Sequence, residues 1–499
     1  MIIRRTVYLD NNATTQLDKR VQKAMKFAFK YYGNPSSIYA PAKSVRYFVE
    51  KSRQYISELI NANPEEIVFT SGGTEGNNTI LKGVANRLKN KGLHIITSQI
   101  EHPSIIDTCK YLEKNNFKIT YLPVDFNGLV NLEDLRQAIT KDTILISIMT
   151  ANNEIGSIQE IKGLAEIARK REILFHTDAV QAVGKIPVDV LDTGIDFLTL
   201  SSHKIHGPKG IGAIYIKNLD NFENLIHGGH QENLLRGGTE NTIGIIGFGE
   251  AARIIKEEGF KYDKKIKQLR EIFYKGIKKQ FPSVKINGPI DNGLPNTINL
   301  LFPNSDNKKV IALLDYYGIC ASTGSACSEG GEKPSHVLKA IGLADKEVSS
   351  SIRFSFGKFN NKIDIQYFFN HLINILLKDK TELEYISPSA LDESILFNQD
   401  YFLVDIRYNF QRRLTKVMPN AHLMDRTKLD EDYKKIPHDK NIILICEYGA
   451  ATISYGYKLK KKGFSKIIIL IGGYLAWIAT HPALYKKYVL TEGKNEITE

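Results

Sequence analysis

A lysine that closes a buried apolar strand, flanked by hydroxyls and a histidine and followed by a turn, is placed to form a Schiff base with an aldehyde cofactor. Lys204 has that setting: Phe197-Leu198-Thr199-Leu200 precedes Ser201-Ser202-His203-Lys204, and Ile205-His206-Gly207-Pro208-Lys209-Gly210 follows. It is the expected anchor of pyridoxal 5'-phosphate. Alone, such a segment is more often a surface lysine in a turn, so the case rests on residues elsewhere in the chain. Upstream, Ile67-Val68-Phe69-Thr70 runs into Ser71-Gly72-Gly73-Thr74-Glu75-Gly76-Asn77-Asn78 and then a helical pattern. The glycines let backbone approach an anion, the helix start offers free N–H groups, and Thr74 adds a hydroxyl, which together make a phosphate cradle.

Other residues match the remaining needs of that cofactor. Asp178, in His176-Thr177-Asp178-Ala179-Val180-Gln181, is the carboxylate expected to keep the pyridinium nitrogen protonated and the ring an electron sink. His102 is expected to stack on the ring and move protons, and Gln181 and Asn153 to hydrogen-bond the ring oxygen. Cys327 lies in Ser322-Thr323-Gly324-Ser325-Ala326-Cys327-Ser328-Glu329-Gly330-Gly331, a small, polar, Gly-rich stretch that suits a mobile reactive thiol. Cys109 and Cys320 sit in helical or apolar contexts and read as structural.

The elements that must position these groups follow from periodicity. Strand-like runs at 94–98, 118–122, 143–149, 173–177, 197–200 and 212–216 alternate with helical stretches such as 132–139 and 161–170. This predicts a mostly parallel sheet covered by helices on both faces, in which ligands sit at the carboxyl ends of the strands. His102, Asn153, Asp178, Gln181 and Lys204 all fall just after such runs. From about Tyr262 the pattern changes to short strands and helices, a second, smaller α+β unit. The expected division is 1–262 for a large cofactor domain, whose N-terminal segment packs with the small one, and 263–377 for the small domain.

Composition bounds the class. With 499 residues, 42% hydrophobic and 24% charged, the chain is long enough for two to four globular units. No apolar run spans a bilayer, and Met1-Ile2-Ile3-Arg4-Arg5-Thr6 lacks a secretory core, so the expected location is the cytoplasm, without membrane contact. Four cysteines, unpaired in spacing, form neither a metal site nor a disulfide framework. The net charge of +12 suits phosphates and small anions, and no nucleic-acid-binding signature accompanies it.

Taken together, Lys204, Asp178, the 70–78 cradle and Ser325-Ala326-Cys327 resemble the class-V aminotransferase-like cysteine desulfurases that serve nitrogenase and iron–sulfur assembly. The resemblance runs from about Tyr8 to Leu377 and implies an α/β type I pyridoxal-phosphate fold and a homodimer. It implies that Gly73, Thr74, Ser201 and His203 bind the cofactor phosphate, that Thr239 in Arg236-Gly237-Gly238-Thr239 reaches the partner's phosphate, and that Arg353, with Asn153, binds the substrate carboxylate. It further implies conversion of L-cysteine to L-alanine, with Lys204 and His102 shuttling protons and the sulfur left as a persulfide on Cys327.

A polar linker, 378–394, then leads to about a hundred more residues. Tyr401-Phe402-Leu403-Val404-Asp405-Ile406-Arg407, Ile442-Ile443-Leu444-Ile445-Cys446-Glu447-Tyr448-Gly449 and Ile471-Gly472-Gly473-Tyr474 resemble a rhodanese domain over 395–490, with a tail at 491–499. Cys446 ends an apolar strand before a helical run, whose start favours a thiolate or persulfide. Ala451 stands where many such domains carry Arg, and Glu447 sets an anion beside the thiol, so poor use of thiosulfate is expected. The lysines at 458, 460–462 and 466 read as a solvated helix end. The leading expectation is a desulfurase fused to its own sulfur carrier, passing sulfur to an iron–sulfur scaffold or thiolation enzyme. The alternatives are a rhodanese-like part that only docks partners, or a selenocysteine lyase that does not require Cys327.

Overall fold

The computed structural model describes residues 5–323, 334–373, 383–447 and 450–490. Its strands are β1 (Val7–Tyr8), β2 (Ile67–Thr70), β3 (His94–Ser98), β4 (Lys118–Leu122), β5 (Thr143–Ser147), β6 (Leu174–Asp178), β7 (Phe197–Ser201), β8 (Gly212–Ile216), β9 (Lys285–Asn287), β10 (Thr297–Leu301), β11 (Ile319–Cys320), β12 (Ser351–Ser355), β13 (Glu384–Ile386), β14 (Tyr401–Asp405), β15 (Ala421–Leu423), β16 (Asn441–Ile445) and β17 (Ile467–Leu470).

β-Branched, apolar runs such as Ile67-Val68-Phe69-Thr70 and Thr143-Ile144-Leu145-Ile146-Ser147 are buried along their whole length, because helices cover both faces of the sheet they build. That sheet has the order β2-β8-β7-β6-β5-β3-β4. The five strands β4, β3, β5, β6 and β7 run parallel, and β8 is antiparallel to its neighbours β7 and β2. The carboxyl ends of β3, β5, β6 and β7 therefore open on one edge, each followed by a residue with chemistry to offer.

Helix Thr242–Gln280 links this layer to the small unit and spans roughly 58 Å at 1.5 Å per residue. It runs without a break through the expected division at Tyr262, since helical periodicity carries no mark where a helix leaves one core for another. The small unit holds the antiparallel sheet β12-β10-β9. The chain's first strand also belongs here: β1 pairs with β11, and Asp10 bridges to Ser355. From that edge residues 11–15 cross to the Lys204 turn, where Thr15 N donates to His203 O at 3.0 Å.

The C-terminal sheet is wholly parallel, in the order β13-β17-β16-β14-β15. β13 comes from the stretch expected to be linker. Three residues in polar surroundings carry no strand signal of their own, and pairing with β17 recruits them. Helix Ala450–Lys461 packs along Asn307–Tyr316, so Ile453, Tyr457 and Leu459 share one apolar cluster with Val310, Leu313 and Leu314. Lys461 Nζ seals the edge by donating to Tyr317 Oη at 3.0 Å. Among the described residues no helix is long and apolar enough to cross a membrane.

Candidate active site

After β7 the chain makes one tight turn, Ser202–Lys204, and the crossing N-terminal segment holds it. Lys204 Nζ donates to the carbonyls of Asn12 at 2.7 Å and Ala13 at 2.8 Å. His203 O accepts from Thr15 Oγ1 at 2.9 Å, and its ring Nδ1 meets Thr14 Oγ1 at 3.1 Å. Gln181 reaches the same residue, Nε2 donating to Asn12 O at 3.0 Å.

Asp178, at the end of β6, is 6% exposed and accepts two hydrogen bonds, from Val180 N at 3.0 Å and Asn77 Nδ2 at 2.7 Å. Asn77 sits one turn into the helix that follows β2, and its second N–H reaches Ser104 Oγ at 2.8 Å. Ser104 in turn faces His102 Nδ1, with Oγ at 2.8 Å and its backbone N–H donating at 3.2 Å. With Nδ1 accepting, a neutral His102 carries its proton on Nε2. Burial holds the ring below the ordinary histidine range; the Asp178 charge opposes this and Lys204 adds to it. One hydrogen-bonded path thus joins the carboxylate and the imidazole expected to serve the same ring.

Beside them lies a cup of about 440 Å³ lined by Thr14, Gly73, Thr74, Ser201, His203 and Lys209. Helix Gly73–Leu88 starts at its wall, so backbone N–H groups without helical partners face this space. Gly72 takes φ 156° and ψ −177°, a backbone that glycine alone adopts readily. A Cβ at Gly73 would lie 2.8 Å from Val180 Cγ2. Burial, then the charges of Lys204, Lys209 and Lys185, push His203 down to about 4, which leaves it a neutral donor or acceptor at pH 7. Among the described residues that line the cup the one carboxylate is Glu75, bound by Arg236 Nε at 3.0 Å. That ion pair ties the cup to the loop carrying Thr239, which is exposed. Hydroxyls, a cationic lysine, helix N–H groups and room fit a phosphate monoester.

Arg353, on β12, is 2% exposed and fixed from two sides: Nη2 donates to Asp10 Oδ1 at 2.7 Å and Nη1 to Asn153 O at 3.1 Å. Among the described residues its Nε is buried without a partner, a donor that suits a carboxylate. Cys327 lies outside the described residues. Both flanks of its segment are held near this arginine and the strand ends. Ser322 and Arg353 exchange backbone hydrogen bonds at 3.1 and 2.7 Å, and Ser335 Oγ donates to Glu154 Oε2 at 2.6 Å. Cys109 is fully buried and burial pushes its thiol up; Cys320 is half-buried and is raised by burial and by Asp315 and Asp10.

Cys446 follows β16 and is 5% exposed, with Sγ 3.8 Å from Thr452 Oγ1. Beneath it Arg407 and Asp405 form a fully buried ion pair at 2.7 Å, and the guanidinium lies 3.8 Å from the Tyr474 ring centroid. Arg407 Nη1 also stands 3.7 Å from Glu447 Oε2. Burial raises the Glu447 carboxyl and Arg407 lowers it, so the anion expected beside the thiol has a buried counter-ion.

Sequence reasoning missed Asn12, Asn77, Asp10 and Lys185. Asp10-Asn11-Asn12, three polar residues directly after an apolar strand, was the available signal for two of them. Asn77 stood out only as part of the 70–78 cradle, with no sign that it reaches Asp178, and Lys185 had no signal because a contact 173 residues away decides its role.

The chain belongs to the aminotransferase class-V family, whose model matches residues 7–368, and a rhodanese-like domain model matches 387–480. The family, with its type I fold, uses pyridoxal phosphate. Among its relatives, a cysteine desulfurase IscS of Dictyoglomus turgidum is 48% identical over 387 residues, covering 77% of this chain and 97% of the relative. A solved NifS-like protein is 39% identical with a TM-score of 0.71, covering 74% of this chain and 99% of the other. A solved structure of SspA in complex with cysteine is 36% identical with a TM-score of 0.64, covering 71% and 99%.

Proposed function

We propose that the chain is a pyridoxal-phosphate-dependent cysteine desulfurase that hands sulfur from Cys327 to Cys446. The observation that carries the desulfurase reading is the joined polar network at the strand ends: Lys204 on Asn12, and Asp178 connected through Asn77 and Ser104 to His102. The cofactor, bound at Lys204, supplies an electron sink for the substrate's Cα–H and Cβ–S bonds. Gly73, Thr74, Ser201 and His203 bind its phosphate, Thr239 serves the second subunit of a homodimer, and Asp178 holds the proton on the ring nitrogen. Gln181 and Asn153 hold the ring oxygen. Arg353, already oriented by Asp10, takes the substrate carboxylate through its remaining N–H groups, with Asn153 alongside.

Lys204 and His102 then move protons. Neutral His102 offers a proton on Nε2, and Lys204 accepts and returns the Cα proton. The Cys327 thiolate attacks the substrate sulfur: a sulfur–sulfur bond forms, the Cβ–S bond breaks, and its electron pair ends as a C–H bond of alanine once a proton is added. The Cys446 thiolate next attacks the outer sulfur of that persulfide and Cys327 leaves as thiolate, so the exchange is redox-neutral. An acceptor protein for iron–sulfur or thiolation chemistry takes the sulfur from there.

One observation favours a second reading, in which the rhodanese-like part only docks partners. Helix Ala450–Lys461 meets Tyr317 through Lys461 at its C-terminal end, and Cys446 lies against Thr452, nine residues or roughly 14 Å of helix away from that contact. Labelled L-cysteine followed by peptide mass spectrometry separates the readings. Equimolar alanine with label on Cys327 and Cys446 supports the relay; label on Cys327 alone supports docking. Alanine formed without Cys327 points to a lyase.

A further inference from the structure

Lys185 stands seven residues past Asp178, and none of the roles above uses it. Its amine contacts two residues that surround Lys204: Nζ donates to Asn12 Oδ1 at 3.1 Å and to Gln181 Oε1. Asn12 is the hub of this arrangement and is 1% exposed. Its backbone carbonyl accepts from both Lys204 Nζ and Gln181 Nε2. Its Oδ1 accepts from Lys185 and from Asn296 Nδ2 at 2.9 Å, and its Nδ2 donates to Asn153 O at 3.0 Å and Thr297 Oγ1 at 2.8 Å.

Both contacts are to carbonyl oxygens, to which an amine can only donate. With Lys185 donating to its Oε1, Gln181 presents its NH2 to the opposite side, and on Asn12 Lys185 adds to the hold of Asn296, Asn153 and Thr297. An unclamped amide is free to rotate, and a rotated Gln181 would set Oε1 against the Asn12 carbonyl. The two amines also repel when both are charged, since they share one residue. Burial, followed by the charges of Lys204 and Arg353, holds Lys185 well below the ordinary lysine range. A neutral amine still has the two N–H groups these contacts need.

We propose that Lys185 is a positioning residue for the Schiff-base lysine: it clamps Asn12 and Gln181 so that the Asn12 carbonyl stays on Lys204 and the Gln181 NH2 faces the site. The assignment rests on the reading of the Lys204 site as the pyridoxal phosphate site.

The test uses the purified full chain loaded with pyridoxal phosphate and reads the pH midpoint of its visible absorption band, with cofactor affinity by dialysis. Lys185→Met removes the donors that hold Asn12 and Gln181, so the Asn12 carbonyl that favours a protonated nitrogen at Lys204 is held less firmly and the midpoint should fall by roughly half a pH unit or more. Cofactor affinity should fall roughly three- to tenfold as Gln181 loses its fixed orientation. Lys185→Arg keeps donors and should return the midpoint towards that of the native chain. Lys185 and Lys204 both line a cavity of about 40 Å³, so Lys185→Ala, which widens it, is the substitute if the Met variant does not fold. An unmoved midpoint in whichever of these two folds, or an equal shift in Lys185→Arg, overturns the assignment. Absence of the visible band from the native chain would instead overturn the cofactor reading itself.

Discussion

At the end of β7, Lys204 Nζ is held by the Asn12 and Ala13 carbonyls, and Gln181, Asp178, His102 and Lys185, at and after the strand ends, each have at least one fixed partner. At the end of β16, Cys446 has a threonine hydroxyl at 3.8 Å, and the charged groups beneath it, Asp405 and Arg407, are spent largely on each other. Both positions use the same device, a strand end running into a turn or helix. The difference follows from what each must hold. A ring with a dianionic phosphate has fixed shape and several charges, so orienting it needs many converging dipoles. A single sulfur atom on a thiol needs little more than exclusion of water and a helix start. The first site should therefore fail sharply when one member is removed, and the second should fail only in where sulfur ends up.

The largest effect is expected at Lys204. Lys204→Ala should abolish the visible band of the bound cofactor and reduce alanine formation to background, because a methyl group cannot form the covalent link. A variant that keeps both would remove the anchor of the comparison. Next in size is Cys327→Ser, which should retain the band and its spectral response to L-cysteine yet release no alanine, since a hydroxyl is far less ionised than a thiol. Steady-state alanine release at the native rate would show that no enzyme thiol is needed.

Why one site was more legible than the other has a physical basis. Lys204, Asp178, Gln181 and His102 each stand directly after a strand whose apolar run announces itself, and a parallel sheet gathers such ends on one edge. What connects them was not legible: Asn77 is a mid-helix asparagine until β6 brings Asp178 within 2.7 Å of it. Asp10 and Asn12 act on residues 343 and 192 positions away, distances that no local pattern encodes. At the second site, Ala451 and Glu447 were readable as departures from a familiar loop, but Arg407, 40 residues earlier, decides how the Glu447 charge is met. The short β13 was hidden for a similar reason, since its partner β17 lies more than 80 residues on.

A smaller effect is expected from the pair that orients the substrate carboxylate. Arg353→Lys keeps the charge but loses the fork that contacts Asp10 and Asn153 O together, so KM for L-cysteine should rise roughly ten- to hundredfold, or about 1.4–3 kcal/mol. Asp10→Asn keeps an acceptor at 2.7 Å and removes the anion, and should raise KM by roughly threefold with kcat little changed. A change confined to kcat in both variants would mean that Arg353 serves the reacting atoms rather than binding.

The smallest effect on turnover is expected at Cys446. The thiol lies outside the Lys204 site, so with excess dithiothreitol present Cys446→Ser should form alanine within about twofold of the native rate. Its consequence is in sulfur location. After labelled L-cysteine, sulfur should be found on both cysteines in the native chain, on Cys327 alone in Cys446→Ser, and on neither in Cys327→Ser. Cys327 follows Thr323 by four positions, and four residue steps of fully extended chain span at most about 14 Å between Cα atoms. Reach is thus the constraint on a relay within one chain, and mixed dimers test it: label on Cys446 of a Cys327→Ser chain paired with a Cys446→Ser chain would mean that sulfur crosses between subunits. Thiosulfate should load Cys446 poorly, and Ala451→Arg should improve that loading several-fold by adding the cation the loop lacks. Cys446 without label, in a protein whose Cys327 carries it, would end the relay and leave the C-terminal part as a docking module.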